Sequence, residues 1–251
     1  MTTFIHISDS HIGLPHAEQH WETALKIIKA RQPDFVLHTG DVTEHGHQSD
    51  FEQARADLDG LGIPWRAIPG NHDIGDGPPA GKGPDPMHVK RYDIALGPSR
   101  FVYPLGSWTL VGMSGLEFGT GCCADMAAKA WLAQALASVS GPTILAFHKP
   151  VFVDHMADAT DSSVAMPACA RADLAMHLRQ PNIKLVLSGH RHAHRVIQND
   201  VISTVWAPAV NGPPETTPPM AGTPALPAML EFRLSAHGHQ HQIIPLYGAE
   251  T

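Results

Sequence analysis

Five short blocks, far apart in the chain, carry side chains suited to holding metal ions. They are Asp9 and His11, then Asp41, then Asn71 and His72, then His148, then His190 and His192. Carboxylate, imidazole and amide together make a mixed oxygen and nitrogen set. Such a set suits zinc, manganese, iron or cobalt better than calcium or magnesium alone. Two ions about 3.5–4 Å apart clamp the attacking and leaving oxygens of a phosphoryl group, and they need a carboxylate between them. Asp41 suits that bridge, because Gly40 before it lets the backbone come close. A neutral amide ligand from Asn71 would keep one site less negative, and His72 could then sit beside the substrate. Asp-x-His or Gly-Asp alone arises by chance; five such blocks in order are a strong signal.

Each block lies just past an inferred strand. Apolar runs over 4–7, 34–39, 63–68, 143–147 and 183–187 read as strands. Trp21, Leu25 and Ile28 mark a helix over 16–31. Phe51, Ala54 and Leu58 mark another over 49–61, with Ser49 as its N-cap. Strand, helix and strand at this spacing predict βαβ units and a parallel sheet. In such sheets ligands bind outside the carboxyl ends of the strands, where all five blocks would converge. A hairpin over 101–105 and 108–113, helices over 124–139 and 169–180, and tail strands over 228–234 and 240–246 complete the pattern. Segments 75–86 and 211–227, rich in Gly and Pro, read as loops walling the crevice. One domain spanning 1–251 is the simplest account.

Composition narrows the partners. Lys plus Arg is 17 and Asp plus Glu is 24, a net charge of −7, whereas a nucleic-acid polymer calls for a basic surface. No basic leader precedes an apolar run, and no stretch is long and apolar enough for a spanning helix, so neither secretion nor a membrane is expected. Cys122, Cys123 and Cys169 form no CxxC pair and read as buried or idle thiols, which points to a reducing cytoplasm. The 18 histidines outnumber Lys and Arg together, and imidazole is the commonest metal ligand.

The blocks Asp9-Ser10-His11, Gly40-Asp41, Gly70-Asn71-His72-Asp73, His148 and Gly189-His190-Arg191-His192 resemble the motif series of the calcineurin-like metallophosphoesterases. The resemblance spans residues 9 to 192. It implies a four-layer αββα sandwich of two mixed β-sheets flanked by helices, with a dinuclear metal site at the strand ends. By it, Asp9, His11, Asp41 and His192 hold one metal ion. Asp41, Asn71, His148 and His190 hold the other, and His72 is the catalytic histidine outside both. The ions would be divalent or trivalent Mn, Fe, Zn or Co. Within the family, the chain is similar to bacterial cyclic nucleotide and glycerophosphodiester phosphodiesterases. Where those carry His-His-Pro-Pro, it has His148-Lys149-Pro150-Val151.

The expected activity is hydrolysis of a small or cyclic phosphodiester. A phosphomonoesterase or protein phosphatase on the same site stays open, as does a non-catalytic metal-binding regulatory protein and a homo-oligomeric state. His45, His47 and Arg191 are candidate substrate contacts. His38 reads as a core histidine, and His237, His239 and His241 as a surface stripe on one strand. His155 and His194 carry no assigned role. Ser114 lacks the second glycine of a nucleophile elbow, which excludes a serine hydrolase.

Overall fold

In the computed structural model, which describes residues 1–76, 83–159, 163–198, 202–213 and 226–247, the first strand is buried on both faces. In β1 (Thr2–Ile7), Ile5 and Ile7 face one apolar cluster and Phe4 another. Then come α1 (Ala17–Arg31), β2 (Phe35–His38), α2 (Gln48–Asp59), β3 (Trp65–Ala67), the single turn α3 (Asn71–Ile74) and α4 (Pro86–Leu96). The hairpin β4 (Arg100–Leu105) and β5 (Trp108–Met113) leads into α5 (Cys123–Ala137), β6 (Thr143–Ala146), α6 (Ala168–Leu178) and β7 (Ile183–Ser188). Strands β8 (Arg195–Gln198), β9 (Ser203–Trp206), β10 (Ala228–Ser235) and β11 (Gly238–Pro245) close the order.

The strands form two mixed sheets, in the orders β11-β10-β1-β2-β3 and β4-β5-β6-β7-β9-β8. β1, β2 and β3 run parallel in the first, and β5, β6, β7 and β9 in the second; the hairpins add the antiparallel members. Phe4, Phe35, Leu37 and Phe232 from one sheet meet Leu110, Ile144, Leu185 and Leu187 from the other in a core between the sheets. The outer faces are covered separately. Trp21, Ile28, Phe51, Leu58 and Tyr92 from α1, α2 and α4 pack on the first sheet, and Leu132, Leu136, Leu174 and Leu178 from α5 and α6 on the second. Helices on both outsides and two sheets inside make the expected four layers.

Several local expectations change. Helix α2 begins at Gln48, ahead of Ser49. His47 stands at the N-cap in extended conformation, while the Ser49 hydroxyl donates to Asp50 instead. Helix α4 emerges directly from the Gly/Pro segment because Asp85 caps it, accepting from Met87 N and His88 N, with Pro86 at its first position. The parts of both Pro-rich segments over 77–82 and 214–225 lie outside the described residues. His239 and His241 do not form a surface stripe. They are half-buried on the inner face of β11, His239 beside Trp108 and His241 stacked on Phe232. Cys123 and Cys169 are exposed, and all three cysteines are free thiols. Among the described residues no helix is long and apolar enough to cross a membrane.

His6 and His38 sit fully inside. His6 Nε2 lies 2.8 Å from Thr39 Oγ1, and His38 Nε2 lies 2.8 Å from Ser10 Oγ while its Nδ1 accepts from Gly40 N. Burial pulls both imidazoles down to about 3. Unfolded, they titrate near their ordinary value of about 6.5. The unfolded chain therefore takes up protons that the folded chain refuses. Stability should fall as pH drops below about 6.5 towards about 3, by up to about 1.4 kcal/mol per pH unit for each histidine. Urea midpoints of the metal-free protein at pH 7 and pH 5 measure this, and His6→Gln should flatten the slope. Equal midpoints at the two pH values would contradict it.

Candidate metal centre

The carboxyl ends of β1, β2, β3, β6 and β7 meet where the two sheets face each other. Backbone bonds fix the approach: Asp9 N donates to Gly40 O, His11 N to Asp41 O, and Gly189 N to His148 O. His190 N donates across the sheets to both Asp9 carboxylate oxygens, at 3.1 and 2.9 Å. The chain turns so sharply here that Asp9, His11, Asp41, His190 and His192 all adopt left-handed backbone, with φ of 54°, 49°, 50°, 69° and 49°. Among the described residues only Gln32, at the end of α1, is another non-glycine there. Left-handed backbone is uncommon for such residues and gathers at functional sites.

Two glycines are required by space. A Cβ on Gly70 would lie 2.3 Å from Asp41 N, and one on Gly189 would lie 1.7 Å from Ser8 Oγ and 2.5 Å from Asp9 Oδ2. They let the turns that carry the clustered side chains touch.

Each histidine of the cluster has one ring nitrogen committed elsewhere. His11 Nδ1 lies 2.6 Å from Glu44 Oε2, His148 Nδ1 lies 2.8 Å from Thr39 O, and His192 Nδ1 lies 2.8 Å from Gly212 O. With those nitrogens protonated as donors, each Nε2 presents a lone pair. The Nε2 atoms of His11 and His192 face each other at 3.1 Å. His148 Nε2 faces Asn71 Oδ1 at 3.0 Å and Asp41 Oδ2 at 3.3 Å. His190 is turned the other way. Its Nε2 bonds Ser163 O, and its Nδ1 is buried without a partner. Lone pairs aimed at one another and at carboxylates repel unless a proton or a metal ion stands among them.

Among the described residues the donor atoms gather into three groups able to hold a metal ion: Asp9 with His11 and His192, Asp41 with His148 and His190, and, at the rim, His11 with Glu44 and His72. His194 and His241 make a useful contrast. Their Nε2 atoms are 3.2 Å apart, yet their ring centroids are 5.5 Å apart, against 5.0 Å for His11 and His192. The His194 and His241 rings point end to end, as in a hydrogen bond. The His11 and His192 rings are angled towards a shared point.

Charge follows the same geometry. Burial pushes Asp9 and Asp41 up, but His192 beside Asp9 and His148 beside Asp41 hold both carboxyls below their usual range. Burial pulls His148 down, yet Asp41 and Asp9 raise it to about 9. A proton thus fills the position that a cation would occupy. Burial lowers His190 to about 3, assisted by His148 and Lys149.

His72 lies at the rim, half-exposed, its ring 4.7 Å from that of His11. Its backbone N donates to Asp41 Oδ1, and its Nδ1 lies 3.0 Å from Glu44 O. Burial pulls its pKa down, but Asp41 and Glu44 overcome this and raise it. Two supports carry no role in the sequence reading. Asp73 accepts from Val42 N, Thr43 N, Thr43 Oγ1 and Gly70 N, so it sews the Asp41 turn to the Asn71 turn. Glu44 touches His11 and lies 3.4 Å from His72 Nδ1. The signal for Glu44 is a carboxylate three residues past Asp41 in a tight turn, beside more conspicuous histidines.

Those histidines turn outward. His45 and His47 are exposed, and His47 lies 3.6 Å from Asp50. Arg191, between two cluster histidines, is half-buried with its Nε unpartnered. His38 is the core histidine expected, and His155 is exposed beside Asp158. The Ser114 hydroxyl donates to Glu117, not to a histidine.

The family model described as calcineurin-like phosphoesterase matches residues 2–194. A protein of Synechococcus described as a probable cyclic nucleotide phosphodiesterase is 28% identical over 172 residues, which is 66% of this chain and 60% of that one. The match thus spans less than two thirds of the relative's length. Among solved structures, GAP50, described as the anchor in the inner membrane complex of Plasmodium, superimposes with a TM-score of 0.71 and 11% identity, covering 99% of this chain and 86% of that one. The purple acid phosphatase PPD1 of yellow lupin gives 0.64 and 13%, over 92% of this chain and 49% of its own. A dimetal phosphatase of Danio rerio gives 0.58 and 13%, over 98% and 99%. At these identities the structures share the fold alone. The family match covers the whole run from β1 to the turn that carries His192, and on it the chain belongs to the calcineurin-like phosphoesterases.

Proposed function

We propose that the chain hydrolyses small or cyclic phosphodiesters, acting as one domain over 1–251 in a reducing cytoplasm. In this reading Asp9, His11, Asp41 and His192 hold one metal ion. Asp41, Asn71, His148 and His190 hold the second, with Asp41 shared. The facing lone pairs of His11 and His192, with the orphaned Nδ1 of His190, carry the reading. When bound, Mn, Fe, Zn or Co ions polarise the phosphoryl oxygens and supply a nucleophile at neutral pH.

The remaining work falls to the chain. Glu44 and the carbonyls of Thr39 and Gly212 keep the histidine tautomers fixed. Arg191 offers an unpartnered Nε–H to a phosphate oxygen, and His45 and His47 stand on the outer loop for the rest of the substrate. His72 has Nδ1 committed to the Glu44 carbonyl, which leaves Nε2 to give a proton to the leaving oxygen. Asp41 and Glu44 beside it raise its pKa, which favours the protonated ring.

The preference for diesters follows from the fixed cations. A monoester dianion carries one more negative charge than a diester and is best held by extra fixed cations beside the metals. Lys149 is paired with Asp76, and Arg195 with Asp154 while lying over the Trp206 ring. Among the described residues of these turns, Arg191 keeps an unpartnered Nε. The metal-loaded protein should therefore show a higher kcat/KM for bis(p-nitrophenyl) phosphate than for p-nitrophenyl phosphate at pH 7. The reverse order would replace this reading with a phosphomonoesterase, and no turnover of either would favour a non-catalytic metal binder.

Two substitutions test the assignments. Asp41→Asn should lower occupancy of both metal positions together, whereas His192→Ala should mainly empty one; full double occupancy in the Asp41 variant, by elemental analysis, would sink the bridge. His72→Ala should retain both metals and lose about 10²–10⁴-fold in rate. The loss should shrink for p-nitrophenolate, a leaving group that needs no proton. Loss of a metal in that variant would exchange the roles of Asn71 and His72.

A further inference from the structure

The turn after Asp41 brings Glu44 to the rim, where it meets two histidines. Its Oε2 lies 2.6 Å from His11 Nδ1 and 3.4 Å from His72 Nδ1, and its backbone carbonyl lies 3.0 Å from His72 Nδ1. The donor atoms of this rim group lie within 4.8 Å of one another. Among the described residues the ion-pair partners of Glu44 are these two imidazoles, not a lysine or an arginine. A metal ion can displace the proton of an imidazole, whereas a fixed ammonium or guanidinium keeps its charge in place. The group is also within reach of solvent. The side chains of His72 and Glu44 are 37% and 18% exposed, against 0% and 3% for His148 and Asp41 of the inner group.

Two imidazoles and one carboxylate, with a fourth position left to water, are a donor set that zinc takes in tetrahedral geometry. Bonds of about 2.0–2.1 Å around such an ion put neighbouring donors about 3.3–3.4 Å apart. Glu44 Oε2 and His72 Nδ1 stand at that spacing. Zinc also binds nitrogen and oxygen sets more tightly than manganese or iron does.

We propose that His11, Glu44 and His72 form a third metal position, separate from the two inner groups, which excess zinc fills and through which it inhibits the protein. Zinc there replaces the Nδ1 proton of His72 and the proton that His11 Nδ1 shares with Glu44, and both protons pass to solvent. A ring that holds zinc at Nδ1 gives up its Nε2 proton only by becoming an imidazolate, so the leaving oxygen is poorly served. The inhibition rests on the role given to His72 in the reading above; the metal position does not.

Crystals of the full chain grown in excess zinc should show an anomalous peak at the zinc edge between Glu44 and His72. At the same free zinc, elemental analysis should count one more ion per chain in the parent than in Glu44→Gln or His72→Ala. Glu44→Gln keeps an oxygen that accepts from His11 Nδ1 and removes the charge. Should it fail to fold, His72→Ala carries the count. The difference is read between variants, so it holds whatever number of ions the inner groups take. Equal counts in parent and variants, or an extra peak only at exposed histidines such as His45 and His47, would overturn the position.

Activity reads the second half. As zinc rises, hydrolysis of a cyclic nucleotide by the parent should fall towards the about 10²–10⁴-fold loss expected of His72→Ala. Hydrolysis of bis(p-nitrophenyl) phosphate, whose leaving group needs no proton, should fall less, and Glu44→Gln should resist the fall. Undiminished activity with the rim ion bound would overturn the inhibition. If no ester is turned over at any zinc level, the proposed function fails, and the ion count still decides the rim position.

Discussion

Two buried carboxylates, Asp9 and Asp41, govern the structure of this protein. Both are almost wholly removed from water, and each raises the cost of ionising the other. A buried charge is tolerated only when it is paired and hydrogen-bonded. Four histidines, one asparagine and the backbone N–H groups of His72 and His190 are arranged around them. The carboxylates raise the pKa of His148 and His192, whose protonation would answer part of the charge, while burial and neighbouring histidines lower His11 and His190 and oppose adding more. Divalent cations answer all of it at once and also quiet the facing nitrogen lone pairs. The metal requirement is thus a property of the packing before it is a property of the chemistry.

From that constraint the strained local geometry follows. To bring two carboxylates and four imidazoles into one small volume, the chain must reverse immediately after each strand. Left-handed backbone at five of the clustered residues achieves this, at a cost of order 1–3 kcal/mol each. Gly70 and Gly189 remove the side chains that would keep neighbouring turns apart. Asp73 then holds the Asp41 turn against the Asn71 turn through four accepted hydrogen bonds. Strain of this kind persists only on a rigid base. The apolar core between the sheets supplies that base, since Phe4, Leu37, Ile144 and Leu187 lie within the very strands whose ends carry the ligands.

What the sequence made legible was local: strands from apolar runs, and the convergence of chelating side chains from their place at strand ends. Both survive because each depends on residues only a few positions apart. What stayed hidden depends on the third dimension. In the turn after Asp41 the carboxylate of Glu44 goes inward while His45 and His47 go out, and turn direction is not written in residue type. Period-two spacing placed His237, His239 and His241 on one face, but which face meets the opposite sheet is set by pairing with β10. Helix α4 was masked by the glycines and prolines before it, although Asp85 and Pro86 form an ordinary helix start. The Lys149–Asp76 pair spans 73 positions and has no sequence signature at all.

The division of the site between two sheets also constrains how it can vary. Asp9, His11, Asp41 and Asn71 leave the first sheet; His148, His190 and His192 leave the second. Each inner group of candidate donors draws side chains from both, so the spacing of those side chains is set by how the sheets pack, not by either loop. Close-packed interiors resist change of even one methylene, and the metal geometry is correspondingly hard to alter by drift in the loops. Substrate choice is different. Arg191 and His45 stand on turns outside that core, where charge can be exchanged without moving a strand. The clustered side chains at the strand ends and the charged side chains on the outer turns thus rest on different parts of the structure, so the second set can vary while the first is held by the packing of the sheets.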